Sequence, residues 1–244
     1  MTQLLLINPN TTQSITDLVL KHAKRFAAKG TTLRAVSGAF GPRYIASRIG
    51  YAIAGHAAVD AFANDKGRKD AVVLACFGDP GLAALKEISP VPVVGMADAS
   101  ILQACAVAKR FSIVTGGERW KPMLEEFVAS MGLSSRFASV RTVAPTGADI
   151  ARNPKAAMAL LAKGCNACAR EDGADVVILG GAGLAGLAAK LRPSVDVPLL
   201  DGVACAISMA EALAKQKPGR IGTKPAPVDS IGLSKGLAKL IGSP

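Results

Sequence analysis

Aromatic residues are scarce in this chain: Phe, Tyr and Trp make up 4% of its 244 residues. That excludes the stacking platforms used for single-stranded nucleic acid and argues against an aromatic-rich β sandwich. Cysteines number five, at 76, 105, 165, 168 and 205. An odd count without a signal-peptide pattern argues against a secreted disulfide framework. No apolar run is long enough to span a membrane. Histidines are two, His22 and His56; both fall in helical stretches and suit packing or surface roles. No paired carboxylates and no cluster with metal-ligand spacing stand out, so no metal is expected. Acidic residues are outnumbered by basic ones, 18 to 29, for a formal charge of +11. The cations are spread along the chain rather than clustered. They suit solvated helix faces, with a lean towards an anionic small molecule rather than nucleic acid or a membrane.

What the chain does have is apolar aliphatic residues, half of it by the hydrophobic count. That is enough for a sizeable core of Ala, Val, Leu and Gly packed between helices and parallel strands. The expected protein is cytoplasmic, with reduced thiols, and assembles with copies of itself.

The order of elements points to an α/β fold. Gln3 to Ile7 reads as a strand, followed by the amide- and hydroxyl-rich turn Asn8-Pro9-Asn10-Thr11-Thr12. Helical spacing of Ile15, Leu18, Val19, His22 and Phe26 predicts a helix from about 13 to 29. A strand at 32–36, a loop carrying Arg43 and Tyr44, and a helix at 52–67 come next. Ala71 to Ala75 is short, apolar and β-branched, the mark of a buried parallel strand. It runs into Cys76-Phe77-Gly78-Asp79-Pro80-Gly81. Asp79 reads as an N-cap and Pro80 as the first helical position. Cys76 would then sit between a strand and a helix, where ligands bind in open α/β sheets and a helix dipole can lower a thiol pKa. The same place also suits a small buried core cysteine.

From Phe111 the pattern starts again. Phe111 to Gly117 repeats the first strand and turn. A helix near 119–131, a strand near 139–143, a loop to Pro154 and an Ala-rich helix to about 171 follow. Asp175 to Gly183 then stands where Asp70 to Gly78 stood, 105 residues later, and Val197 to Asp201 echoes Val91 to Gly95. A loop-rich stretch at 215–227 and a short amphipathic helix within 229–241 complete the chain. Two pseudo-symmetric βαβα subdomains with parallel sheets are expected, residues 1–97 plus 207–244 and residues 98–206. The carboxyl ends of their strands would share a cleft holding the active site.

Ile7-Asn8-Pro9-Asn10-Thr11-Thr12, Ala75-Cys76-Phe77-Gly78-Asp79-Pro80-Gly81-Leu82 and Leu179-Gly180-Gly181-Ala182-Gly183-Leu184 resemble the Asp/Glu/hydantoin racemase superfamily, its hydantoin and allantoin branch most of all. The likeness runs to about Leu213. It implies cofactor-free chemistry by two cysteines on opposite faces of an acidic carbon, one removing the proton and the other delivering one. Cys76 matches the first. The second falls on Gly181, so this sequence departs from the pattern there. The other four cysteines lie in helical stretches and suit core packing; Cys165 and Cys168 form a Cys-x-x-Cys without a redox or zinc context. Substrate contacts are expected from Asn10, Tyr44, Phe77, Gly78, Thr115, Gly116, Gly181, Ala182 and Gly183. Thr11 is balanced between ligand contact and capping, and Arg43 leans towards a solvated loop charge.

Three activities fit. The first is a racemase or epimerase of a hydantoin or amino-acid derivative. The second is a single-cysteine decarboxylase or isomerase of the arylmalonate decarboxylase type. The third is a small-ligand-binding protein without turnover. A dinucleotide fingerprint, Gly181-x-Gly183-x-x-Gly186 with Asp201 beyond, also matches by spacing. Pro193 and the short segment before Asp201 count against it.

Overall fold

The computed structural model describes residues 1–143, 153–223 and 226–242. Most of the loop between Val143 and Pro154, and part of the 215–227 stretch, lie outside the described residues. The first half runs β1 (Thr2–Asn8), α1 (Gln13–Phe26), β2 (Thr31–Ser37), α2 (Arg48–Asn64), β3 (Ala71–Leu74), α3 (Leu82–Ile88), β4 (Val93–Gly95) and α4 (Met96–Val107). The second runs β5 (Phe111–Thr115), α5 (Trp120–Ser130), β6 (Phe137–Thr142), α6 (Pro154–Arg170), β7 (Val176–Gly180), α7 (Ala188–Leu191), β8 (Leu199–Asp201) and α8 (Gly202–Gln216). A short α9 (Lys235–Leu240) follows and packs on α2.

Each half carries a four-stranded sheet, in the orders β2-β1-β3-β4 and β6-β5-β7-β8. All pairings are parallel. The expected α/β class with two similar parallel halves is what the chain forms. The strand order reverses between β1 and β3 and again between β5 and β7, and such switch points open a crevice at the carboxyl ends.

Alternation along the strands divides the core. Leu4, Leu6 and Val73 of the first sheet join Phe111, Ile113, Val176 and Ile178 of the second in one cluster. Leu5, Ile7, Val72 and Leu74 face the other way, against Ala58, Phe62, Leu82 and Leu85. Val114, Val177 and Leu179 do likewise against α6 and α7. Two helices fill the shared core and cross over: α4 packs on β7 and α8 packs on β3, and the two pack on each other. Small residues on both, Ala97, Ala104, Ala206 and Ala210, allow that closeness.

Some boundaries differ from the sequence reading. α2 starts at 48 because Ser47 caps it, accepting from Gly50 N–H. The helix after Cys76 starts at Leu82, and Asp79 is not its cap. Asp79 has φ +54 and Gly81 has φ +86, so the chain winds through a left-handed turn before the helix begins. The Asp79 carboxylate instead accepts from Ala97 N–H and Asp98 N–H, at 3.0 and 2.7 Å, at the start of α4. The α4 cap position is Gly95, which has no side chain to do this itself.

Candidate active site

A cavity of about 330 Å³ opens at the two switch points and draws its lining from both sheets. The turns after the four central strands all reach it: Asn10 after β1, Cys76 and Phe77 after β3, Thr115 and Gly116 after β5, and Gly181 to Gly183 after β7. Tyr44 from the 38–47 loop stands at the mouth, 61% exposed. Gly78 does not line it. Trp120 covers its α carbon, and its carbonyl accepts from Tyr51 Oη–H.

Asn10 is buried and its orientation is fixed. Its Oδ1 accepts from Thr12 N–H and Asn8 Nδ2–H, both at 2.9 Å. Asn8 is held in turn by Thr16 Oγ1. Turning the Asn10 amide over would set an NH₂ against two donors. Its Nδ2 therefore remains the free group, without a protein acceptor among the described residues, and can only donate. Thr115 Oγ1 likewise has no protein partner among the described residues, while its carbonyl accepts from Val143 N–H. Thr11 N–H bonds the Pro42 carbonyl. Arg43 meets the turn only through its carbonyl, which accepts from Thr12 Oγ1–H; its side chain is not part of the lining.

Cys76 is buried, and burial pushes its thiol up, with the charge of Asp79 adding to the effect. The expectation of a dipole-lowered thiol fails here. The seven-residue α3 begins six positions later, and among the described residues no cationic side chain lines the cavity. Both effects favour the neutral thiol over the thiolate. Gly181 has φ +134. A Cβ there would lie 3.6 Å from Thr115 Oγ1 and 3.9 Å from Leu184 Cγ, so the wall at Gly181 has room for a side chain.

Two aromatic rings tie the halves together around the thiol. Phe77 lies over Gly180, where a Cβ would come within 2.5 Å of its ring, and Trp120 lies equally close over Gly78. Tyr51 meets Trp120 edge to face at 6.4 Å. Ile15, Ile45, Trp120 and Leu184 supply apolar walls that the sequence reading missed. A signal was present. Cys76 and Gly181, Asn10 and Thr115, and Ile15 and Trp120 are each 105 residues apart, the offset of the internal repeat. Extending it from the two turns to the helices would have found Trp120.

The lean towards an anionic ligand has no support in the cavity, which lacks charged side chains among the described residues. The dinucleotide reading also falls. The helix after the Gly181 turn is four residues long. Asp201, the supposed ribose ligand, bonds Val203, Ala204 and Gly186 N–H groups. Gly186 is packed beneath His22. His56 meets Phe40 edge to face. The other four cysteines are buried or half-buried on helices.

Asp79 gives a prediction of its own. Burial raises its carboxyl to about 7, against its bonds to α4; the unfolded value is about 4. Between these values the folded state holds the extra proton, so stability falls as pH rises. The stability from neutral Asp79 is fully present below about 4 and lost as pH passes about 7. Thermal melts from pH 4 to 8 are expected to show this slope in the native chain and not in Asp79→Asn.

Residues 4–210 match the sequence profile of the family described as Asp/Glu/Hydantoin racemase. A hydantoin racemase of Pseudomonas sp. (strain NS671) is 37% identical over 210 residues, covering 85% of this chain and 84% of that protein. The crystal structure of allantoin racemase from Pseudomonas fluorescens superposes with a TM-score of 0.89 at 31% identity, covering 95% of this chain and all of that one. A liganded variant of arylmalonate decarboxylase has a TM-score of 0.69 at 17% identity, covering 88% of this chain and 93% of its own. That likeness is one of fold alone.

Proposed function

The chain belongs to the Asp/Glu/hydantoin racemase family, which makes it a racemase, and we propose that it moves the proton on the acidic carbon of a small, neutral, hydantoin-like ring with an apolar substituent. The observation that carries this reading is the cavity's make-up: one thiol, oriented uncharged donors, apolar walls and no charged side chain among the described residues. A dicarboxylate amino acid would bring its charges into a cavity whose described lining has no charged side chain to offset them. A hydantoin needs hydrogen-bond donors at its ring carbonyls and a dry pocket for its substituent.

Cys76 is the proton carrier in this reading. A proton beside a carbonyl is weakly acidic, so its removal needs a base held in place and donors at the oxygen that gains charge. Asn10 Nδ2, Thr115 Oγ1–H and the backbone N–H groups of Phe77, Ala182 and Gly183 supply those donors. The thiol first gives its proton to water at the cavity mouth; as thiolate, Cys76 then takes the proton from carbon, and as thiol it returns one to the same face. Gly181 stands where the resemblance places a second thiol. Inversion then draws its proton from water on that side, and proton exchange with retention outruns it.

The direct test follows optical rotation of one enantiomer of 5-benzylhydantoin, with allantoin and glutamate in parallel. The benzyl compound is expected to racemise fastest and glutamate not at all. Racemisation of glutamate with the hydantoins untouched would overturn the reading. Asn10→Asp removes the free donor and sets a carboxylate beside the developing negative charge. Its kcat/KM is expected to fall by about 10²–10³-fold, as for loss of an oxyanion-hole donor, measured by the same assay.

Protonation from one side is favoured a second way by Gly181: a thiol that only delivers a proton also suits the carbanion left when a malonate loses carbon dioxide. Carbon dioxide release from an arylmalonate, with no effect on any hydantoin, would put that reaction first.

A further inference from the structure

We propose that Asp79 is a positioning residue for Cys76, clamping the turn that carries the thiol onto the helix packed against the opposite sheet. This rests on the reading of Cys76 as the proton carrier. The residue is 1% exposed and engaged at every polar atom. Its N–H donates to the Cys76 carbonyl at 3.1 Å, and its own carbonyl accepts from Leu82 N–H at 3.1 Å. The left-handed backbone is one that Asp and Asn adopt far more often than other side chains. One carboxylate oxygen takes Ala97 N–H and the other takes Asp98 N–H. These are the unpaired donors of the α4 N-terminus, where negative charge is favoured.

The arrangement has a counterpart that shows what it is for. In the second half, Asp201 at the end of β8 caps α8 and accepts from Gly186 N–H in the turn after β7, at 2.7 Å. Both halves thus use one carboxylate to tie the turn after the third strand to the helix after the fourth. The second half places the acid at the helix. The first half has glycine there, Gly95, and a Cβ on it would overlap Asp79 Oδ2. The acid has moved onto the thiol turn itself. Its partner helix α4 packs on β7, the strand that ends beside Gly181. The distance between the thiol and the Gly181 wall is therefore set through the Asp79 carboxylate.

Among the described residues, the groups around Asp79 that titrate or carry charge are Cys76, Tyr51 and Asp98. Cys76 shares its turn. Tyr51 comes from α2, its hydroxyl held on the Gly78 carbonyl and pushed up to about 12 by burial, with Asp79 contributing. Asp98 comes from α4 and is paired with Lys86 of α3. Among the described residues no ion pair holds the carboxylate; the N–H groups of α4 temper its charge, which still adds to the effect of burial on the thiol.

The test uses the full-length chain with three variants. Asp79→Asn sets an NH₂ against an N–H of α4 and removes the charge. Its kcat for proton exchange is expected to fall by about 10²-fold, the scale of a misplacement near 1 Å, with KM nearly unchanged. The pH at which iodoacetamide begins to alkylate Cys76, followed on its peptide by mass spectrometry, is expected to move down. Asp201→Asn breaks the matching tie and is expected to leave that thiol titration in place. Asp79→Glu keeps the charge but lengthens the arm. It is expected to lower kcat with the titration unmoved, and it carries the test if Asp79→Asn does not fold. A folded Asp79→Asn or Asp79→Glu with native kcat overturns the inference while Cys76→Ala, run beside them, stays inactive. An active Cys76→Ala overturns the reading beneath it as well.

Discussion

Cys76→Ser is expected to lower kcat for hydrogen exchange at the acidic carbon by at least about 10²–10⁴-fold, the contribution of one positioned acid–base group. A serine hydroxyl fits the same space beside Phe77, so the walls stay in place. What changes is acidity. The thiol of Cys76 is already pushed up by burial and by Asp79, and a hydroxyl in that setting ionises far less still. Binding rests on other groups, Asn10 Nδ2, Thr115 Oγ1 and the apolar faces of Ile15 and Trp120. A 5,5-disubstituted hydantoin, which has no proton to lose, is therefore expected to bind Cys76→Ser and the native chain alike by calorimetry. Loss of rate with affinity kept separates chemistry from binding. Equal rates in the two proteins would remove the thiol from the mechanism.

Gly181→Cys is expected to act in the opposite direction, raising inversion by about 10²-fold or more as a second positioned acid–base group appears. The Cβ has space, its nearest neighbours being Thr115 Oγ1 and Leu184 Cγ at 3.6 and 3.9 Å. The backbone is less accommodating, because φ +134 is a conformation that side chains rarely adopt. The substitution is expected to cost about 1–3 kcal/mol in stability, read as a lowered midpoint in urea. Gly181→Ala separates the two effects: it carries the same strain and is expected to gain no inversion. Chiral chromatography of the product from one enantiomer checks both variants. A faster Gly181→Ala would mean that strain, not the thiol, changed the rate.

Much of this was legible because the chain repeats itself. The apolar runs Ala71 to Leu74 and Val176 to Gly180 have no polar face, which only a strand covered on both sides can tolerate. Their common offset of 105 residues places Cys76 and Gly181 in equivalent turns. Ile15 and Trp120 were harder to see, since an apolar residue in the first turn of a helix looks the same whether it faces core or cavity. Gly78 shows the reverse. It belongs to the motif, yet its glycine character serves the Trp120 ring rather than a ligand. The role of Asp79 was hidden for a different reason. Aspartate before proline is a strong local signal for a helix start, but its carboxylate reaches α4, 18 residues on, once the left-handed turn and Gly95 make room. The excess of positive charge leans towards an anionic ligand, but composition does not say which way side chains face, and among the described residues none of those cations lines the cavity.

The most direct test of the central claim is hydrogen exchange in deuterated water. One enantiomer of 5-benzylhydantoin is incubated with the native chain, and deuterium at the acidic carbon is followed together with configuration. Exchange that outpaces inversion, and disappears in Cys76→Ser, is the predicted result: one thiol working one face. Inversion keeping step with exchange would contradict it, because a second proton carrier would then be acting where Gly181 stands.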